Sequence, residues 1–342
     1  MIIKGHLNVL YAADNNYAPF MGVSIFSLLE NNKNIECITI YAMINEFSEQ
    51  NIERLDKMVK QYNRELVIIN ASDLDAMLDD LHVPRYRGGH APNYRLFFER
   101  YIRNDVERLL YIDSDSLVVG SLGELLNIDM QGAYFGGVLG AFGGYEYKFK
   151  LGLGSDDNYV NSGVILFDVV KWKECICQQM ILDHIVNVRA AYYNPDQDLL
   201  NVVFKGHIYR LPCEYNFVPF HSAYPYDLYY KFYGSEGYYS KEEIEYGKCN
   251  PVILHTFRFL GDFPWNKWNF HPDRKMYDFY LRKSPWKDYR KKIAKKGKAI
   301  FWVEKVLFVC LPRSVFLRVF KKMRNIKMIK KIAGEKRKIK KD

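Results

Sequence analysis

Arg108-Leu109-Leu110-Tyr111-Ile112-Asp113-Ser114-Asp115 is the stretch on which the reading of this chain turns. The apolar run Leu109 to Ile112 predicts a buried strand, and it ends on two carboxylates flanking a serine. A carboxylate without a partner is costly away from water, so a pair at i and i+2 has no cheap structural use at a buried strand end. A hard divalent cation relieves their repulsion, and carboxylate oxygens suit Mg2+ or Mn2+. The plainer alternative is a solvated Asp-Ser-Asp turn. At the carboxyl edge of an α/β sheet such a metal would sit where ligands bind.

Outward from this strand the chain alternates. Leu7–Ala12 predicts a strand, Ala18–Leu29 a helix entered through Pro19, and Cys37–Met43 a second strand. Glu49–Tyr62 follows as a helix N-capped by Ser48, then Leu66–Asn70 as a third strand, with Ser72 or Asp73 capping a short helix. This β-α-β-α rhythm implies the α/β class, a mostly parallel, doubly wound sheet flanked by helices. Further on, glycines 136, 137, 140, 143 and 144 mark turns around a strand at Ala133–Leu139. Tyr159–Phe167 is another strand, Val169 opens a helix of about 20 residues, and Asp196–Phe204 is a short helix. Residues 213–250, dense in Tyr, Gly and Ser, read as long ordered loops that carry specificity. Pro251–His255 is a last short strand, and Trp265–Trp286 reads as loop-rich.

The 342 residues suffice for one large domain with an appendage, and 49% hydrophobic content excludes wholesale disorder. The net charge of +9 conceals a division: residues 287–342 carry 21 Lys+Arg against 4 Asp+Glu, whereas residues 1–286 carry 28 against 36. An acidic body with a basic tail points to an anionic surface, either membrane or nucleic acid. Six scattered cysteines without paired CxxC motifs give no zinc signature. The N-terminus, Met-Ile-Ile-Lys-Gly-His, has no signal-peptide apolar region, and no stretch approaches the ~20 apolar residues of a membrane span. A reducing cytoplasm is the expected compartment.

Four local patterns carry chemistry. In Tyr11-Ala12-Ala13-Asp14-Asn15-Asn16-Tyr17 the small residues admit a ligand to the backbone, Asp14 can accept from a base or ribose, and Tyr17 can stack; an ordinary polar loop is the alternative. Asp113-Ser114-Asp115 is the second. The third joins Asn161-Ser162-Gly163 in a strand to Asn194-Pro195-Asp196-Gln197-Asp198 at a helix start, where acidic residues also serve as caps. The fourth is His255 after a strand, a structural histidine or, beside a metal, a third ligand; Gly261 and Pro264-Trp265 follow.

Taken together, AADNNY (Ala12–Tyr17), NYRLFF (Asn93–Phe98), LLYIDSDSLV (Leu109–Val118), YVNSGVILFD (Tyr159–Asp168), PDQDLLN (Pro195–Asn201) and a C-terminal His…Pro-Trp resemble the bacterial members of glycosyltransferase family 8. The match is to the lipooligosaccharide galactosyltransferase type, over roughly residues 5–275. The resemblance implies a GT-A fold and transfer of a hexose, glucose or galactose, from a UDP-sugar with retention of anomeric configuration. It implies Asp113, Asp115 and His255 as Mn2+ (or Mg2+) ligands on the donor diphosphate. Ala12, Ala13, Asp14, Asn16 and Tyr17 are implied around uridine and ribose, with Arg95, Ser114 and Gly261 also near the donor. Asn161 and Ser162 are implied around the donor sugar with Asp196 and Gln197, Gln197 lying beneath the anomeric carbon. An amide is a poor nucleophile, which favours front-face attack, while Asp198 keeps double displacement open. Two departures stand out: Phe263 occupies the position of the family's lysine before Pro-Trp, in a longer loop where Arg258 or Lys267 are candidate substitutes. Near Gly140 the acidic residue of the galactosyltransferase type is missing.

The tail alternates basic clusters with apolar stretches. Lys and Arg beside Trp302, Phe308 and Phe316 suit amphipathic helices on an anionic membrane, each basic residue contributing about 1 kcal/mol. The alternative is a helical subdomain packed on the core; nucleic acid is not expected, for want of a motif. The expectation is therefore a transferase domain at 1–286 and a membrane-association region at 287–342. The enzyme would sit at the inner face of the plasma membrane and extend a lipopolysaccharide or other surface glycan. A glycogenin-like self-glycosylating or donor-hydrolysing enzyme, and a degenerate nucleotide- or membrane-binding protein, are the alternatives.

Overall fold

The computed structural model describes residues 2–83, 85, 89–141, 145–188, 190–294 and 298–339. Its first third follows the predicted alternation: β1 (Ile3–Asp14), α1 (Ala18–Asn31), β2 (Ile35–Asn45), α2 (Glu49–Gln61), β3 (Glu65–Asn70) and α3 (Ser72–Asp80). Pro19 occupies the first turn of α1, where no backbone N–H is needed, and the Ser48 hydroxyl accepts from Asn51 N–H at the start of α2. Neither Ser72 nor Asp73 caps α3. Asn70 Oδ1 does that work instead, accepting from the Ser72 N–H and hydroxyl at 3.0 and 2.6 Å.

The remaining elements are β4 (Arg108–Ile112), β5 (Ser116–Val118), β6 (Phe135–Leu139), α4 (Tyr145–Lys150), β7 (Val160–Asp168), α5 (Val169–Glu174), α6 (Cys177–Val188), α7 (Pro195–Val203), β8 (Ile208–Arg210), α8 (Pro219–Ala223), α9 (Tyr226–Tyr233), α10 (Lys241–Cys249), β9 (Ile253–His255), α11 (Arg274–Lys283), α12 (Lys298–Cys310) and α13 (Arg313–Ile339). Three expectations change. The helix from Val169 is two helices, interrupted at Ile176, whose φ of 48° is incompatible with continuing a helix. Residues 213–250 hold three helices rather than loops, and the stretch from Trp265 to Trp286 contains α11. Glycines 143 and 144 lie outside the described residues.

Seven strands form one sheet in the order β3-β2-β1-β4-β7-β6-β8. Neighbours run parallel except at β7, which is antiparallel to both β4 and β6. β1 is buried without interruption from Leu7 to Ala13, as a central strand covered on both faces must be. Each fully buried Leu or Val side chain there contributes on the order of 1.5–3 kcal/mol. Reversal of β7 has one consequence for function: it brings the start of that strand, rather than its end, to the carboxyl edge of β1 and β4.

The basic tail packs onto the body. Phe316 and Leu317 of α13 are buried among Phe220, Tyr224, Tyr229, Phe259 and Leu260, while Met328 and Ile332 rest on Tyr147 and Tyr159. Lys305 of α12 is ion-paired with buried Asp262. All six cysteines are free thiols. Among the described residues no helix is long and apolar enough to cross a membrane.

Candidate active site

Strand register builds the site. β5 and β9 pair antiparallel with Ser116 opposite His255, so the residue following Asp115 faces the histidine. Thr256 reinforces this, its N–H and hydroxyl both donating to the Asp115 carbonyl at 2.8 and 2.7 Å. On the other side β4 pairs with β7 as far as Ile112 opposite Val164, and the Asp113 N–H then donates to Gly163 O at 2.7 Å. Asp113, Asp115 and His255 thereby offer ligand atoms all within 4.8 Å of one another.

The donor set fits a divalent cation. His255 Nδ1–H donates to Asn216 Oδ1 at 2.9 Å, which leaves the Nε2 lone pair facing the carboxylates, 3.6 Å from Asp113 Oδ2 and 3.4 Å from Asp115 Oδ1. Such an outer partner sets tautomer and ring orientation in metal-binding histidines. Burial pushes the Asp113 carboxyl up, opposed by the Arg95 guanidinium beside it. Gly163 makes room for the ring: a Cβ there would stand 2.1 Å from His255 Cε1.

Arg95 is buried and fully engaged. It donates to Asp113 Oδ1 at 2.8 Å, to Pro92 O at 2.7 Å and to Ser162 O, lies 3.7 Å from Asp196 Oδ2, and stacks on Tyr111, whose hydroxyl also donates to Asp113. On the cavity wall its charge is spent on the carboxylates of Asp113 and Asp196. Asp14 uses Oδ1 to cap the turn at Asn16 and Tyr17, and Ser114 Oγ donates to Ala12 O at 3.0 Å, tying β1 to the Asp-Ser-Asp turn.

Gln197, in the first turn of α7, accepts at Oε1 from Asn161 Nδ2 at 2.9 Å and from Ser162 N–H at 3.3 Å, and donates from Nε2 to Tyr159 OH at 2.7 Å. Asp196 Oδ2 accepts from Ser162 Oγ at 2.9 Å. Asp198 is completely buried; its oxygens take the hydroxyls of Tyr147 and Tyr159 and the Asn194 N–H.

These groups line a cavity of about 930 Å3 whose walls include Ala12, Ala13, Asp14, Asn16, Tyr17, Arg95, Asp113, Ser114, Asp115, Asn161, Ser162, Asp196, Gln197, His255 and Gly261. Asp198, the remaining expected site residue, is not on the wall. Its carboxylate is committed to the tyrosines behind Gln197 and to the Asn194 N–H.

The chain matches Glycosyl transferase family 8 over residues 8–269. It belongs to that family. A lipopolysaccharide 1,2-glucosyltransferase of Escherichia coli K12 is 28% identical over 294 residues, 82% of this chain and 79% of that protein. A lipopolysaccharide 1,3-galactosyltransferase of Salmonella typhimurium is 24% identical over 82% of this chain and 79% of its own length. The solved structure of the galactosyltransferase LgtC with donor and acceptor sugar analogues has a TM-score of 0.64 at 22% identity, covering 82% of this chain and 96% of that one. The fold is GT-A, and the chain is a family 8 glycosyltransferase.

Within the family 8 frame, the position of the expected lysine is settled structurally. Phe263 is buried and stacks on Trp265 at 4.4 Å, part of an aromatic column with Phe20. Arg258, from the lengthened loop, lies 5.1 Å over the Phe263 ring and is on the cavity wall; Lys267 is not. Asn216 and the α13 side chains on the wall were not singled out from sequence, and Gly163 and Tyr159 were read only as members of longer motifs, without the contacts the structure gives them. Gly163 alone carried a signal, a glycine inside a strand, which marks close approach by another group.

Proposed function

We propose that this family 8 enzyme transfers a hexose, glucose or galactose, from a UDP-sugar to a surface-glycan acceptor such as lipopolysaccharide, with retention. The observation that carries the proposal is the convergence of Asp113, Asp115 and His255 Nε2 at the carboxyl edge of the sheet, with Gln197 on the same cavity wall. Asp113, Asp115 and His255 would hold Mn2+ or Mg2+, which when bound supplies electrostatic stabilisation of the departing diphosphate.

The remaining work falls to side chains on the page. Ala12 and Ala13 let the nucleoside lie against the strand end, and Tyr17 offers a ring edge. Arg258 supplies the positive charge that Phe263 lacks. Gln197 is held rigid at both ends of its amide, with its oxygen already accepting twice, which supports delivery of the acceptor to the face vacated by UDP rather than attack by the amide. No tyrosine between residues 213 and 250 is on the cavity wall, so that tyrosine-rich segment lends no support to self-glycosylation. The lipopolysaccharide relatives support the acceptor class, and both glucosyl- and galactosyltransferases are among them.

Attachment to the inner face of an anionic membrane belongs to the same proposal, with 1–286 as catalytic body and 287–342 serving as both cavity wall and membrane face. Trp302, Val303, Val306 and Val309 are exposed along one side of α12, the spacing of an interfacial helix.

Calorimetry of UDP, UDP-glucose and UDP-galactose, each with Mn2+ and with EDTA, tests the core of this reading. Metal-dependent binding with one sugar tighter is expected, and Arg258→Gln should weaken UDP more than uridine. Absence of UDP binding in Mn2+ would sink the proposal.

A further inference from the structure

The cavity is charge-polarised, and the cations of its basic side other than Arg258 come from the tail. The strand-edge side carries Asp14, Asp113, Asp115 and Asp196 against Arg95; among the other described lining residues, Arg258, Arg324, Lys327 and Lys330 stand against Glu304 alone. Phe320, Met323, Arg324, Lys327 and Lys330 recur at three- and four-residue spacing, so they form one face of α13 turned to the cavity. Burial raises the Glu304 carboxyl, opposed by the nearby charges of Lys327 and Arg324.

This wall is fastened on both sides. Lys305 pairs with Asp262 beside Gly261, whose φ of +82° and contact with Phe301 leave no space for a side chain. Lys331 donates to Tyr193 O, just ahead of α7. The tail is therefore a built boundary of the site. The volume, about 930 Å3, lies near the top of the ~300–1,000 Å3 span for a small-molecule site, so donor and acceptor share it. On the reading above, the donor diphosphate already has a divalent cation and Arg258 as counter-charges.

We infer that Arg324, Lys327 and Lys330 form an acceptor subsite that selects a saccharide carrying a phosphate group. A phosphate offers several acceptor oxygens to a fan of Lys and Arg donors, and Phe320 and Met323 beside them suit the apolar face of a sugar ring. The inference rests on the transferase reading for the word acceptor, but the charge recognition stands by itself.

The test is calorimetry on the full chain, first alone and then saturated with UDP and Mn2+, using glucose 6-phosphate, glucose and inorganic phosphate as probes. Glucose 6-phosphate is expected to bind at least tenfold more tightly than glucose. Lys327→Gln combined with Lys330→Gln should reduce that affinity about tenfold, consistent with loss of charge-assisted bonds. The same pair changed to Arg should retain it, and UDP affinity should stay unchanged throughout. Glucose 6-phosphate binding no tighter than glucose overturns the subsite. A Gln pair that weakens UDP instead reassigns the cations to the donor, and one that loses only phosphatidylglycerol vesicles reassigns them to a membrane; either result overturns the inference. If UDP fails to bind the unaltered chain, the transferase reading falls separately, because the titration without UDP still reads the basic wall.

Discussion

His255 and Asp198 never touch, yet they are the two ends of one unbroken run of hydrogen bonds. His255 Nδ1–H donates to Asn216, Asn216 Nδ2 to Asn161, Asn161 Nδ2 to Gln197, Gln197 Nε2 to Tyr159, and the Tyr159 hydroxyl to Asp198, at 2.9, 2.9, 2.9, 2.7 and 2.6 Å. Every donor points the same way, toward a buried carboxylate. A run of this kind is mutually polarising, and it orients three amides and one imidazole at once. The face that would hold the metal and the amide that would lie under the sugar are thus parts of one network.

Asn216→Ala removes the acceptor for His255 Nδ1. Loss of an outer partner of a metal-binding histidine typically costs about 10- to 100-fold in affinity. Mn2+ titration followed by electron paramagnetic resonance should show a drop of that order; an unchanged constant would disconnect Asn216 from the metal site.

Gly163→Ala should be more damaging than its single methyl suggests. The added Cβ meets the His255 ring itself, and moving the ring breaks its bond to Asn216. Metal-dependent UDP binding should fall below detection while circular dichroism stays native. Retention of full binding would show that the ring can shift without cost.

Gln197→Ala leaves the three proposed metal ligands in place but removes the amide at the middle of the network. Turnover should fall by two or more orders of magnitude with UDP affinity changed only a few-fold, the signature of an interaction used mainly in the transition state. Equal losses in both would make Gln197 a binding residue only.

Burial lifts the Asp198 carboxyl to about 6, against the pull of the Tyr147 and Tyr159 hydroxyls and the Asn194 N–H. Its folded pKa therefore exceeds the unfolded value of about 3.9, so the native state holds the extra proton between them. The Asp198 contribution to stability then declines as pH rises from about 4 to about 6 and is level above, by at most about 3 kcal/mol. Urea midpoints at pH 4.5 and 6.5 should shift accordingly in the parent protein, and Asp198→Asn should flatten that component. Parallel pH curves for the two proteins would contradict the assignment.

Trp302→Ala with Val306→Asp alters the exposed side of α12 and spares the buried Phe316 and Leu317. Sedimentation with phosphatidylglycerol vesicles at physiological salt should drop several-fold, UDP binding being retained. Undiminished sedimentation would place the membrane contact elsewhere.

How far the sequence could be read depended on the range of the forces at work. The end of β1, the Asp-Ser-Asp turn and the start of α7 were legible because apolar runs stop abruptly on small, acidic or amide residues, a local signal. Helices α8 to α10 were not: their aromatic-rich segments are held by rings from elsewhere, as Tyr229 and Tyr233 are by Phe316 and Leu317. The break at Ile176 requires a backbone conformation that isoleucine does not advertise. Asn216 escaped notice because its role exists only once β9 has paired with β5 and turned His255 toward it. Asp198, adjacent to Gln197 in the chain, lies behind it rather than on the cavity wall because successive helix residues diverge by about 100°.

A chain made from its N-terminus builds the carboxylate edge of this cavity long before the helix that closes it. Until α13 has left the ribosome, the nascent sheet presents Asp113, Asp115 and Asp196 without the lysines of the opposite wall, and Phe220, Tyr229 and Phe259 lack the cover of Phe316 and Leu317. Domains fold as units during synthesis, N-terminal parts first, so α13 docks on a body whose carboxylate edge precedes it in the chain. The lysine-bearing wall exists only once α13 has packed, and the same packing covers the aromatic face of Phe220, Tyr229 and Phe259.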